Sequence, residues 1–182
     1  NGGTANGGVD TSATANTLTI NVTAVNDAPV VTPNATARSY TENAAAIVAN
    51  NTLSLSDVDS TSLTGATVQI TSGLTTGDVL AFTAANGITS TYDAATGKLS
   101  LAGTATVAQY QAALQAVTYS STSDNPTATS ASRTLTWQVN DGASANNLST
   151  TATSTVNVTA VNDAPVGVND SASAIEASGT GN

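Results

Sequence analysis

The sequence predicts an all-β fold, a β-sandwich with one short helical insertion, and three observations predict it. Thr, Ser, Ala, Asn and Gly dominate the composition, and its β-branched side chains fit a pleated surface while losing rotamer freedom in a helix. Short apolar runs, most alternating with period two, follow one another and end at Gly, Pro, Asn or Asp. Finally, Asn21-Val-Thr-Ala-Val-Asn-Asp-Ala-Pro-Val30 returns letter for letter at 157–166, an offset of 136 positions. That period is the length of a domain, too long for a solenoid repeat. The chain therefore reads as a tandem repeat with partial flanking domains. Residues 1–27 are the closing strand and linker of a preceding repeat, 28–163 a complete repeat and 164–182 the opening strand of the next.

Residues 1–16 are rich in Gly, Asn, Ala and Thr and read as a loop. Leu18, Ile20, Val22 and Val25 then give a half-buried strand, matched by Val156, Val158 and Val161 in its later copy. Both run into Asn-Asp-Ala-Pro, where proline has no N–H to continue a ladder. Val30, Val31 and Tyr40 mark an opening strand, Ile47, Leu53 and Leu55 two short ones, and Val68 and Ile70 another that stops at Ser72-Gly73. A hairpin region follows, with Val79-Leu-Ala-Phe82, a turn at Asn86-Gly87, Ile88 to Tyr92, a turn over 93–97, then Leu99 and Leu101. Asn-Gly supplies the positive φ angles of a tight turn.

Val107, Tyr110, Leu114 and Val117 break the pattern with spacings of 3, 4 and 3, one face of a helix of two to three turns capped by Thr104 or Thr106. Strand signals resume at Val117-Thr-Tyr119 and at Leu135-Thr-Trp137-Gln-Val139, separated by the loop 120–131. Beyond residue 166, Val168 and Ile175 restart the pattern of residues 30–47.

Composition excludes several classes of function. Twelve acids face three bases, Arg38, Lys98 and Arg133, for a net charge of −9. Such a chain repels nucleic acid and anionic membrane surfaces and suits cations. Without Cys there are no disulfides or thiolate ligands, and without His there is neither an imidazole ligand nor the commonest general base. No 18-residue apolar run suggests membrane insertion. Only Glu42 and Glu176 are glutamates, in different domains, and no Gly-x-Ser-x-Gly motif appears, so an enzyme is not expected.

Six of the twelve acids fall at element ends. Asn26-Asp27 and Asn162-Asp163 lie in the linkers, Asp57-Val-Asp59 follows a strand, Asp141-Gly142 follows the Trp137 strand, and Glu42 sits in Tyr-Thr-Glu-Asn43. Carboxylate and carbonyl oxygens are the ligands of Ca²⁺, which takes six to eight of them at about 2.3–2.6 Å. Each motif alone is also an ordinary turn former; their joint order at domain spacing is what points to calcium.

That order resembles a cadherin repeat. Asp141-Gly-Ala-Ser-Ala-Asn-Asn-Leu-Ser149, a strand and Ala160-Val-Asn-Asp-Ala-Pro165 are similar to the closing Asp-x-Gly loop, last strand and Asp-x-Asn-Asp-Asn-x-Pro linker of that family. Tyr40-Thr-Glu-Asn43 resembles its Pro-Glu-Asn motif, and Ser56-Asp-Val-Asp-Ser60 its Asp-x-Asp loop. The likeness spans 24–165 and is greatest to the cadherin-like repeats of large bacterial surface proteins and adhesins. It implies a cadherin-like, Ig-like Greek-key sandwich. It also implies a calcium site from Asn26, Asp27, Asp57, Asp59 and Asp141, and a second from Glu42, Asn162 and Asp163, completed by the next domain, where Glu176 would be the counterpart of Glu42. The first should be the better formed. The family's Asp-Arg-Glu motif has no match after Leu99 or Leu101, where Asp93 is the nearest acid, so one or two ions per junction are expected, bound at ~10⁻⁴–10⁻³ M.

The function expected from this resemblance is a calcium-stiffened spacer in an extracellular protein of the bacterial surface or secreted matrix, its partners being neighbouring repeats. The alternative is an adhesive domain that binds a glycan, a host protein or another copy of itself, including assembly into a filament by strand exchange.

Overall fold

The computed structural model describes residues 3–8, 14–165 and 167. Among the described residues, eleven strands and one α-helix make up the regular structure, apart from a 3₁₀ turn near the start. The predicted all-β class is observed. Three sheets form, and their curled arrangement is consistent with a β-sandwich.

β1 (Val30–Thr32) pairs antiparallel with β4 (Ser54–Ser56) as a two-stranded sheet. The main sheet takes β2 (Arg38–Thr41), β5 (Ser62–Ser72), β7 (Thr89–Asp93), β8 (Lys98–Thr106), β10 (Ser132–Asn140) and β11 (Ala152–Thr159) in the order β2-β11-β10-β5-β8-β7. All its pairings are antiparallel except β2 with β11. The third sheet is β3 (Ile47–Val48), β9 (Thr118–Ser121) and β6 (Asp78–Ala81), in the order β3-β9-β6.

The core is mainly aliphatic, with four of the six aromatics, Tyr40, Tyr110, Tyr119 and Trp137, buried in it. Leu63, Val68, Ile70, Leu99, Leu101, Leu135 and Val156 from the main sheet meet Leu80 and Tyr119 from the small one in a single cluster. Tyr40 on β2 and Tyr119 on β9 bridge the sheets edge to face, with ring centroids 5.2 Å apart. Along β10 inward Arg133, Leu135, Trp137 and Val139 alternate with half-buried neighbours, the period of two that a one-sided sheet demands.

The helix α1 (Val107–Gln115) begins at a capping box. Gln109 N–H donates to Thr106 Oγ1, and Thr106 N–H donates to the Gln109 side chain. Tyr110, Ala113 and Leu114 bury one face of it. At Asn86-Gly87 both residues have positive φ, 54° and 78°, as a tight turn needs. The predicted hairpin does not continue from that turn, because β6 leaves to pair with β9 while β7 pairs with β8. Tyr92 faces inward instead, and its hydroxyl bonds the Asp78 carbonyl at 2.8 Å.

The largest departure from expectation is the first copy of the repeat. Residues 15–29 form no strand, and Leu18, Ile20, Val22 and Val25 are 73–88% exposed. The restart of the pattern at Val168 and Ile175, and with it Glu176, lies outside the described residues.

Candidate metal centres at the two ends of the domain

Strand direction sorts the candidate acids into two groups. β2 and β11 run parallel, so Glu42, one residue past β2, and Asp163, just past β11, emerge at the same end. β10 runs antiparallel to β11, so Asp141 emerges at the opposite end. β11 has eight residues, which at about 3.4 Å each separates the ends by roughly 27 Å.

At the Asp141 end the linker residues reach the complete domain. Asn26 Nδ2 lies 2.8 Å from Asp141 Oδ2 and 3.2 Å from the carbonyls of Asp27, Ala145 and Asn146. An amide nitrogen carries two hydrogens, so at most two of these four oxygens are satisfied at once. Asn146 Nδ2 returns a bond to the Asn26 carbonyl at 2.9 Å. Asp27 N–H donates to Asp59 Oδ2 at 3.1 Å. Asp57 Oδ1 accepts from the N–H groups of Asp59 and Ser60, the local turn expected of aspartate, but its Oδ2 is buried with no hydrogen-bond partner. Asp141 Oδ1 accepts from Ala143 N–H at 2.8 Å, across a turn in which Gly142 has φ 86°. Asn26, Asp27, Asp57, Asp59 and Asp141 are thus gathered at one end and joined by hydrogen bonds.

At the other end Glu42 is 96% buried by its 4% residual exposure. Its N–H continues the parallel ladder to Thr159 O, and its Oε2 accepts from Val161 N–H at 2.7 Å. Its Oε1 is buried without a hydrogen-bond partner. Carboxylate oxygens of Glu42, Asp124 and Asp163 all lie within 4.8 Å of one another, the one such triad among the described residues. The tighter convergence of carboxylates is therefore here, not at the Asp141 end as the sequence reading expected. Asn162 contributes a bond from Nδ2 to the Asp163 carbonyl at 3.2 Å, the same local contact that Asn26 makes with Asp27.

Asp124 was missed by sequence reasoning. It sits in the loop between β9 and β10, whose Ser/Thr/Asn/Pro composition reads only as a connection. Asp93, the acid nearest the place of the absent Asp-Arg-Glu motif, is exposed in its own turn, where bonds from the Thr96 hydroxyl and the Ala95 N–H lower its pKa.

A buried ion pair fixes the loop that carries Asp124. Arg133 Nε meets Asp78 Oδ2 at 2.6 Å, with both side chains fully buried. Its Nη atoms reach back to the carbonyls of Ser130, at 2.7 Å, and Pro126. Tyr119 donates to Asp78 Oδ1 at 2.7 Å, and burial, followed by that bond, pushes its phenol well above the usual range. Five oxygens and three nitrogens thus satisfy one another where an unpaired charge would cost several kcal/mol.

Every candidate donor in both groups is oxygen, the donor set of a hard cation. The orphaned Oε1 of Glu42 and Oδ2 of Asp57 are buried acceptors that such a cation would satisfy. The chain matches no family model, no curated protein and no solved structure.

Proposed function

We propose that this chain is a calcium-stiffened spacer repeat of a large extracellular protein of a bacterial surface, adhesin or matrix fibre, with the Greek-key topology of a cadherin-like unit. The observation that carries the reading is Glu42, whose Oε1 is buried without a partner and whose carboxylate approaches those of Asp124 and Asp163 within 4.8 Å. Like charges so placed repel; a divalent cation turns the repulsion into a joint. Asp124, Asp163 and Glu42 hold the cation at one end, with Asn162 adding an oxygen. Asn26, Asp27, Asp57, Asp59 and Asp141 hold it at the other. Opposite ends of a domain are where a spacer needs its joints, and the order of motifs along 24–165 supports the same reading.

The test is a melting curve in EDTA and in millimolar calcium, for the native sequence and for Glu42→Gln. At a free calcium of ten times a millimolar Kd, the native chain gains about 1.4 kcal/mol per site and its melting temperature rises. Glu42→Gln is at least as stable as the native chain in EDTA, since it removes a charge from the triad, and loses part of the rise. A melting temperature that calcium does not move overturns the proposal.

A further inference from the structure

The first copy of the repeat and β11 differ at the two positions that decide which partner each fits. Residues 17–23 align with 153–159, and only two positions differ, Leu18 for Ser154 and Ile20 for Val156. Both are core-facing positions in β11, where Ser154, Val156 and Val158 are buried and their neighbours are not. Ser154 also has a specific task, because its Oγ accepts the indole N–H of fully buried Trp137 at 2.8 Å.

We infer that residues 17–23 form the closing strand of a second β-sandwich unit preceding this one, and that this host has an aliphatic or phenylalanine side chain where this domain has Trp137. The strand would sit, as β11 does, between one antiparallel and one parallel neighbour. Leu18, Ile20 and Val22, 84%, 75% and 88% exposed here, are an apolar row suited to such a place. Alternation with Thr17, Thr19, Asn21 and Thr23 gives it a polar outer face. The direction of the chain agrees: the Asn26–Asp27 end of the copy is bonded to this domain, and the strand lies on the far side of that junction.

A second copy of this chain does not fit as host. Leu18 entering the place of Ser154 would leave the Trp137 N–H buried without an acceptor and would crowd a filled core. The inference rests on the repeat reading above but not on calcium, so its test is run in EDTA and its failure leaves the calcium response untouched.

The test transplants the strand within the full chain. Ser154→Leu with Val156→Ile gives β11 the sequence of 17–23, in a background of Trp137 or of Trp137→Phe. With Trp137 the pair of changes lowers the melting temperature by about 10 °C; with Phe the same pair lowers it by less than half as much. Val156→Ile alone serves as the control and shifts melting little. Equal falls in both backgrounds overturn the inference that the strand discriminates against tryptophan. A transplanted chain that fails to fold in both backgrounds, while Trp137→Phe alone folds, shows that 17–23 cannot close a sandwich and overturns it entirely. The expected result for the native chain is sedimentation as a monomer with freely exchanging amides at 17–23. A dimer that protects those amides makes a second copy the host and likewise overturns it.

Discussion

Two stretches of identical sequence take opposite forms in this molecule. In the first copy Val22 is 88% exposed and unpaired, while Pro29 at its far end is buried. In the second, Val158 is 4% exposed inside β11 and Pro165 is exposed. Each copy is thus seated by the half that the other leaves free. Where the copies are identical, at 21–23 and 157–159, local preference is the same, so it cannot be what makes the second a strand. The difference is that β10 and β2 flank the second copy, whereas no strand among the described residues pairs with the first. Strand propensity is chiefly a statement about available neighbours, and here one sequence measures it twice.

The sharpest way to break that comparison is to truncate the same valine in each copy. Val158→Ala removes two buried methyl groups and costs about 2 kcal/mol in urea denaturation. Val22→Ala falls within about 0.5 kcal/mol of the native chain. Equal costs would mean that the first copy packs on this domain in solution, contrary to its exposure.

How much of this was legible beforehand depended on range. The helix was readable because its signals are local: three- and four-residue spacings and a Thr106 cap whose partner Gln109 is one turn away. The Asn86-Gly87 turn was readable for the same reason. The sheet to which each flanking strand belongs was not, since β6 finds β9 through residues some forty positions on. Asp57, Asp59, Asp141, Glu42 and the linker acids stood out because each occupies a turn motif. Asp124 occupies none; only its approach to Glu42 and Asp163 distinguishes it. Arg133 and Asp78, 55 positions apart, carry no mutual signal in sequence.

Alkaline pH attacks one side of the comparison alone. Burial raises the phenol pKa of Tyr119, Tyr110 and Tyr92, with Asp78 adding to the effect at Tyr119 and Tyr92. A group whose folded pKa lies above its unfolded value near 10 keeps its proton in the fold while the unfolded chain loses it. The stability this represents is full below about pH 10 and is lost as pH climbs from there towards the folded values, by at most ~1.4 kcal/mol per pH unit for each tyrosine. Amide exchange, corrected for its intrinsic pH dependence, should show β11 losing protection above pH 10 and residues 17–23 unchanged. Tyr119→Phe would shallow the slope.

The smallest contrast concerns the asparagines. Asn26 Nδ2 sits among four oxygens, one of them the Asp141 carboxylate, whereas Asn162 Nδ2 meets only the carbonyl next to it. In EDTA, Asn26→Ala costs about 1 kcal/mol, the net worth of a charge-assisted bond at a partly buried site, and Asn162→Ala less than about 0.5 kcal/mol. Calcium changes what each substitution removes. The cation would take over the oxygens that Asn26 Nδ2 now contacts, and each asparagine would turn its amide oxygen to the ion, so the two losses should converge in saturating calcium. A contrast that stays the same in EDTA and in calcium would mean that Asn26 is a hydrogen-bonding tether and nothing more, and that the joint at the Asp141 end is made by the amide itself.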